Sequence, residues 1–309
     1  MSAERPRILV IRGGAIGDFI LTLPVLAALR ERFPQTHLTV LGYPHIAQLA
    51  LAGGLADEVR PIEARELAAF FNPHADPPPD LAAFFSGCAV ILSYLYDPDG
   101  LFAQNVRRCT RATFIAGPHR PAETGPRHAT EVLLGPLERL AIFDADPVPR
   151  LSVAAEAPPA PGRARLVVHP GSGNERKNWP EARWVELLAR LAARPDLELL
   201  LVGGEAEGER LTRLARLWPA ERLHLAQSLP LAALARRLAA GGVFAGHDSG
   251  ITHLAAALGL PGVVLWGDTN PTVWRPRSER LRLLRHPHGL AALPMAEVAA
   301  ALGEWLGPG

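Results

Sequence analysis

Apolar residues in this chain fall into short runs separated by stretches with helical spacing. Arg7 to Ile11 reads as a strand, after which Gly13, Gly14 and Gly17 bend the backbone. From Asp18 onward Ile20, Leu21, Leu23, Leu26, Ala27 and Leu29 recur at helical intervals up to Pro34, and His37 to Leu41 is the next strand. Pro24 falls in the first turns of that helix, where a missing donor is least costly. Shorter apolar runs at Ala89 to Ser93 and Thr113 to Ile115 alternate with helical stretches, the last from Arg127 to Ile142. Residues 72–80 are proline-dense and read as loop, and residues 156–163 read as a linker. Beyond it, strands at Arg165 to His169, Leu197 to Val202, Leu223 to Leu225, Val243 to Ala245 and Gly262 to Trp266 alternate with helices at Glu181 to Arg194, Glu207 to Trp218, Leu231 to Ala240 and Ser249 to Leu258.

Strand–helix alternation implies parallel sheets covered on both faces, so the fold class is α/β with two Rossmann-like domains, 1–157 and 164–309. A last helix over 295–306 is able to pack back on the first domain. Ligands of such sheets bind beyond the carboxyl ends of the strands, which focuses attention on the loops there.

Composition changes this picture in two places. Hydrophobic residues at 48% and charged residues at 20% describe an ordinary globule, and a net charge of +1 gives no global attraction to nucleic acid. Arg5, Arg7, Arg12 and Asp18 interrupt the amino-terminal apolar run, and the longest uncharged apolar run, 254–267, is too short to span a bilayer. With only Cys88 and Cys109, no metal-ligand spacing occurs, so a cytoplasmic, metal-free protein is expected. The 32 basic residues include a single lysine, Lys177. A compact ammonium in a chain that otherwise uses arginine suits a point charge against phosphate in a tight cleft.

The opening Gly13-Gly14-Ala15-Ile16-Gly17-Asp18 does not match G-x-G-x-x-G, and no acid closes the second strand, which disfavours a nicotinamide site. Gly14 and Gly17 still let backbone approach a ligand closely, with Asp18 at the start of a helix as a functional carboxylate or a plain cap. In Gly246-His247-Asp248-Ser249-Gly250-Ile251-Thr252-His253, the residues Ser249, Gly250 and Thr252 offer donors at a helix amino terminus, a seat for phosphate, while Asp248 suits sugar or ribose hydroxyls; capping is the alternative. His253 reads as a packed helix residue. Ser172 and Gly173 add donors beside Lys177, completing a diphosphate cradle. The strings Asp97-Pro98-Asp99 and Asp144-Ala145-Asp146 read as turn material.

These loops carry a resemblance. Arg12 through Arg30, then His169-Pro170-Gly171-Ser172-Gly173 with Lys177-Asn178-Trp179-Pro180, then Gly246 to Leu258, then Leu265 to Pro271 are similar, in order, to the signatures of glycosyltransferase family nine, the ADP-heptose:lipopolysaccharide heptosyltransferases. The resemblance implies a GT-B fold, with the two parallel sheets facing a central cleft. It implies inverting, metal-independent transfer from a nucleotide sugar, with ADP-heptose as co-substrate and no other cofactor. It implies Asp18 as general base and donor contacts at Ser172, Gly173, Lys177 and the Asp248 to Thr252 loop, with Glu205 and Glu207 at the ribose. The acceptor, a lipopolysaccharide-type glycan, would dock on the first domain. There Arg107, Arg108, Arg111, Arg120 and Arg127 would meet its anionic groups or form a solvated basic face. Peripheral contact with the inner membrane would follow from such an acceptor. Ile251 and Asp268 stand where the family usually has proline. A nucleotide-sugar epimerase or a silent nucleotide-sugar-binding protein on the same fold are the alternatives.

Overall fold

The protein is represented by a computed structural model that describes residues 5–205 and 207–307. It divides into two compact units, Met1–Leu151 and Ser152–Gly309.

The first unit holds the parallel strands β1 (Arg7–Arg12), β2 (His37–Gly42), β3 (Glu58–Pro61), β4 (Cys88–Ser93) and β5 (Thr113–Ala116), in the order β3-β2-β1-β4-β5. Helices α1 (Ile16–Ile20), α2 (Leu23–Arg32), α3 (Pro44–Ala52), α4 (Pro79–Ser86), α5 (Leu101–Cys109) and α6 (Ala129–Leu134) connect them. Strand order reverses at β1, so the loop after it opens where an α/β sheet normally binds its ligand. The helix expected to run unbroken from Asp18 is two helices. Pro24 has no amide to offer the Ile20 carbonyl, and Thr22 Oγ1 instead donates to the Asp18 carbonyl at 2.8 Å, which ends the first helix. The proline-dense loop is likewise shorter than expected, because Pro79 begins α4 at a position where its missing donor does no harm.

The second unit holds β6 (Ala164–His169), β7 (Leu197–Gly203), β8 (Leu223–Gln227), β9 (Val243–His247), β10 (Gly262–Leu265) and β11 (Leu281–Leu284), all parallel, in the order β11-β10-β9-β6-β7-β8. Its helices are α7 (Glu181–Ala192), α8 (Gly208–Ala215), α9 (Leu231–Ala239), α10 (Gly250–Ala257), α11 (Pro271–Trp274) and α12 (Met295–Leu306). All seven residues of β7 are buried, as expected of a strand covered on both faces. The one charge among them, Glu198, is compensated by Arg165 at 3.4 Å and Arg163 at 3.8 Å.

The division between the units falls a few residues ahead of the proline-rich linker. The Glu156 amide donates to the Arg236 carbonyl at 3.0 Å, and the Ala160 amide donates to Glu198 at 3.3 Å, so this segment is tied to the second unit. The last helix contributes to the core of the second unit. Met295, Val298, Ala301, Leu302 and Leu306 are buried in the second unit's core beside Trp179 and Trp184.

Candidate functional site

In the first unit, β1 delivers Arg12 to the carboxyl rim of the sheet, and a short glycine loop then turns into α1. Gly14 has φ +101°, and a Cβ there would lie 2.9 Å from Asp18 Oδ2, so only glycine lets the loop close over that carboxylate. Asp18 is not the residue that starts the helix. It stands in the first turn and reaches back, its Oδ2 accepting from the Ala15 amide at 3.0 Å. Beneath it lies Arg12, 3% exposed, which donates to the His119 carbonyl at 2.8 Å and the Asp18 carbonyl at 3.2 Å and stands 3.7 Å from Asp18 Oδ1. Burial lowers the Arg12 pKa, while Asp18 and Tyr94 oppose the shift. The Asp18 side chain is 31% exposed and open to a reactant.

A cavity of about 300 Å³ opens beside Gly13 and Gly14. Its walls come from the ends of all five strands, with Gly13 and Gly14 after β1, Tyr43 after β2, Ile62 and Glu63 after β3, Tyr94 to Tyr96 after β4 and His119 after β5, and from the helical residues Phe71 and Phe102.

The five arginines do not form one patch. Arg107 and Arg108 occupy the last turn of α5, and Arg111 lies two residues before β5, so these three lie at the rim where the strands begin, away from Asp18. Arg107 sits over the Phe114 ring at 5.1 Å, and Arg108 donates to Asn105 Oδ1 at 3.2 Å. Arg120 and Arg127 follow β5 and share the Asp18 rim, with Arg120 paired to Glu123 at 2.7 Å. Sequence spacing could not separate the two groups, because a strand of only four residues, β5, carries the chain from one rim to the other.

In the second unit, three loops meet at the carboxyl ends of β6, β7 and β9. Lys177, in a turn at Glu175–Lys177, places Nζ 2.6 Å from Asp248 Oδ2. The sequence assigned these two to different partners, phosphate and sugar, yet they pair with each other. Ser172 Oγ donates within its own loop, with the Asn174 carbonyl and Asn178 Oδ1 both at 2.8 Å, while Gly173 faces open space. Ser249 caps α10, its Oγ accepting from the Thr252 amide at 3.3 Å, and buried Thr252 donates its hydroxyl to the His247 carbonyl. The hydroxyls of Ser172, Ser249 and Thr252 thus shape the loops around Gly173 and Gly250. Glu207 accepts from the Gly204 amide at 2.8 Å and packs so close to Gly171 that a Cβ there would meet its Cγ at 2.2 Å. Glu205 is exposed on the same loop. His253 is buried in α10, Asp97 accepts from the Phe102 and Ala103 amides at 3.1 and 3.0 Å, and Asp146 accepts from the Val148 amide at 3.0 Å.

Two supports of this site were given no role by the sequence. His247 is fully buried at the end of β9; its Nε2 accepts from the Trp179 amide at 2.8 Å and its Nδ1 faces the Gly171 carbonyl at 3.4 Å. Burial brings its pKa down to about 3 and that of neighbouring His169 down to about 4, so both rings are neutral. Arg210 braces the Lys177 loop from outside through Glu175 at 3.0 Å and the Pro170 carbonyl at 3.3 Å. A polar residue ending an otherwise apolar strand, as Arg12 and His247 do, was the available signal. Among the described residues no group of three or more His, Cys, Asp or Glu is placed to hold a metal ion.

Residues 147–297 match Glycosyltransferase family 9 (heptosyltransferase). Lipopolysaccharide heptosyltransferase 1 of Pseudomonas aeruginosa is 40% identical over 111 residues, 36% of this chain and 31% of that protein. Its counterpart in Escherichia coli K12 is 37% identical over 98 residues, 31% of this chain and 29% of that protein. The aligned stretch therefore spans about a third of each of these relatives. Among solved structures, a glycosyl transferase family 9 protein from Veillonella parvula superposes with a TM-score of 0.78 at 17% identity, covering 99% of this chain and 98% of that one. E. coli ADP-heptose lps heptosyltransferase II gives 0.75 at 18% identity, covering 97% and 98%. E. coli heptosyltransferase WaaC with ADP-2-deoxy-2-fluoro heptose gives 0.74 at 21% identity, covering 96% and 99%. The fold, with its two parallel-sheet α/β units, is the GT-B fold of these heptosyltransferases. Over residues 147–297 this chain is therefore similar to family 9 glycosyltransferases, and the curated relatives that match it by sequence include lipopolysaccharide heptosyltransferases.

Proposed function

We propose that the protein transfers heptose from ADP-heptose to a hydroxyl of a lipopolysaccharide-core or related glycan acceptor, with inversion and without a metal ion. The observation that carries this reading is the Lys177–Asp248 pair at the amino end of α10, inside the family 9 residues. One cation, one carboxylate and a helix amino terminus together match a sugar diphosphate: charge for the phosphates, an acceptor for hydroxyls, and amides of the first helical turn for the remaining oxygens. Gly173 and Gly250 leave backbone open to the donor, and Glu205 and Glu207 lie on the loop that would meet the ribose.

The acceptor hydroxyl attacks the anomeric carbon from the face opposite the diphosphate as the glycosidic bond to phosphate breaks. Asp18 takes the hydroxyl proton, and Lys177 with the α10 amides stabilises the departing ADP. ADP-heptose is a co-substrate, and no other cofactor enters. The reading places the protein in the cytoplasm or on the inner face of the cytoplasmic membrane. Among the described residues no helix is long and apolar enough to cross a membrane.

A thermal-shift series with ADP-, UDP- and GDP-linked sugars tests the donor, since a ligand of the folded state raises its melting point with concentration. ADP-linked sugars should give the largest shift, and transfer should require an added glycan. A larger response to UDP-sugars would remove the donor assignment, and epimerisation or binding without transfer would replace the activity.

A further inference from the structure

The cavity beside Asp18 differs in chemistry from the basic acceptor face that the arginine count suggested. Its floor includes buried Phe102, its rim carries Tyr43, Phe71 and Tyr96, and its polar side chains include Glu63 and His119. Among the described residues no lysine or arginine lines it. Three of the five arginines lie at the other end of the sheet. Arg12, the nearest buried cation, is committed to the His119 and Asp18 carbonyls.

Resting on the proposed transfer reaction, we propose that this cavity binds an uncharged sugar ring of the acceptor. The apolar C–H face of a pyranose presents weakly positive hydrogens to the negative face of an aromatic ring, and the rim supplies three such rings. Tyr96 is 68% exposed and packs edge-on to His119 at 5.4 Å, so its ring is available to an incoming sugar. Phe71 is 47% exposed and rests against Phe102 at 5.1 Å. Glu63 accepts hydroxyl protons and repels carboxylates and phosphates. A neutral ring also leaves the Arg12–Asp18 pair intact, whereas an anionic ring would compete for Arg12 against the carboxylate that must take the proton. A ring seated beside Gly13 and Gly14 lies next to Asp18, where a free hydroxyl could meet the carboxylate.

The test uses the full chain and methyl pyranosides in three forms, neutral, uronic acid and phosphorylated. Binding is read by ligand-observed NMR without donor, transfer is read with ADP-heptose, and donor binding is read separately by calorimetry. Neutral glycosides should bind in preference to both acidic forms. Tyr96→Ala should weaken neutral-glycoside binding about tenfold, the scale of one lost ring contact, with donor affinity unchanged. Glu63→Lys should move the preference toward the acidic forms. Equal or tighter binding of the acidic glycosides by the native protein, or no effect of Tyr96→Ala on neutral-glycoside binding, would overturn the proposal. Failure of ADP-heptose to bind in calorimetry would instead strike the transfer reading, because glycoside binding is measured without donor.

Discussion

Lys177 Nζ lies 2.6 Å from Asp248 Oδ2, so the one lysine of the chain is already neutralised before any donor arrives. The carboxylate is the more deeply buried partner, at 9% against 37% exposure for the lysine side chain. A diphosphate entering here must draw the ammonium away from Asp248 or share it.

Removing the lysine alone strands a buried carboxylate, and Lys177→Ala should destabilise the fold by about 1–2 kcal/mol, below the usual figure for a buried pair because the ammonium is partly solvated. Lys177→Ala with Asp248→Asn should recover most of that stability while donor affinity stays low. Denaturant unfolding and calorimetry with ADP-heptose separate the two effects. Equal donor affinity in wild type and double variant would show that the pair is purely structural.

Buried neutral histidines give a pH dependence with a definite sign. His169 and His247 have folded pKa values of about 4 and about 3, below the unfolded value of 6.5. In the interval between, the unfolded chain binds protons that the folded chain refuses. Their contribution is complete above pH 6.5 and is lost as pH falls toward the folded values, at about 1.4 kcal/mol per pH unit for each ring. Between pH 6.5 and 5, above the usual carboxylate range, wild-type stability should fall, and the slope should be roughly halved in His247→Asn. An unchanged slope in that variant would mean that His247 is hydrated and titrates in the native state.

Gly14 tests how tightly the loop is drawn over Asp18. At φ +101° a side chain is strained, and the Cβ of Gly14→Ala would also press on Asp18 Oδ2 from 2.9 Å. Backbone strain of this kind costs on the order of 1–3 kcal/mol, and displacement of the carboxylate should lower kcat more than it raises the donor KM. Thermal melting and steady-state kinetics on the same preparation would check both. A variant with wild-type kcat would show that the loop relaxes without moving Asp18.

The second unit was the more legible half, for a physical reason. Strands covered on both faces, such as β7, read as unbroken apolar runs whatever their context. The edge strands β3, Glu58-Val59-Arg60-Pro61, and β11, Leu281-Arg282-Leu283-Leu284, carry no such signature, since edges are kept short and charged. The glycine loop, Lys177 and the α10 amino terminus could be picked out because each needs particular residue types at fixed spacing. The aromatic cavity could not, because its walls come from the ends of five strands and from helical residues far apart in sequence. The split of the five arginines was hidden for the complementary reason: neighbours in sequence lie at opposite rims of one sheet.

Asp18 and Arg12 divide the last prediction between chemistry and positioning. Asp18→Asn keeps an oxygen that can accept from the Ala15 amide, so α1 and the loop should remain folded. It removes the proton acceptor, and turnover should fall by about 100-fold or more, as general-base loss typically does, with ADP-heptose affinity nearly unchanged. Arg12→Lys keeps a positive charge but cannot reproduce a guanidinium fork that reaches the His119 and Asp18 carbonyls together. Its effect should be a smaller loss of turnover, accompanied by lower thermal stability that Asp18→Asn does not show. Transfer rates, donor calorimetry and melting curves for both variants distinguish the roles. Wild-type transfer by Asp18→Asn would reduce Asp18 to a helix cap, and the general base would then have to be sought elsewhere in the site.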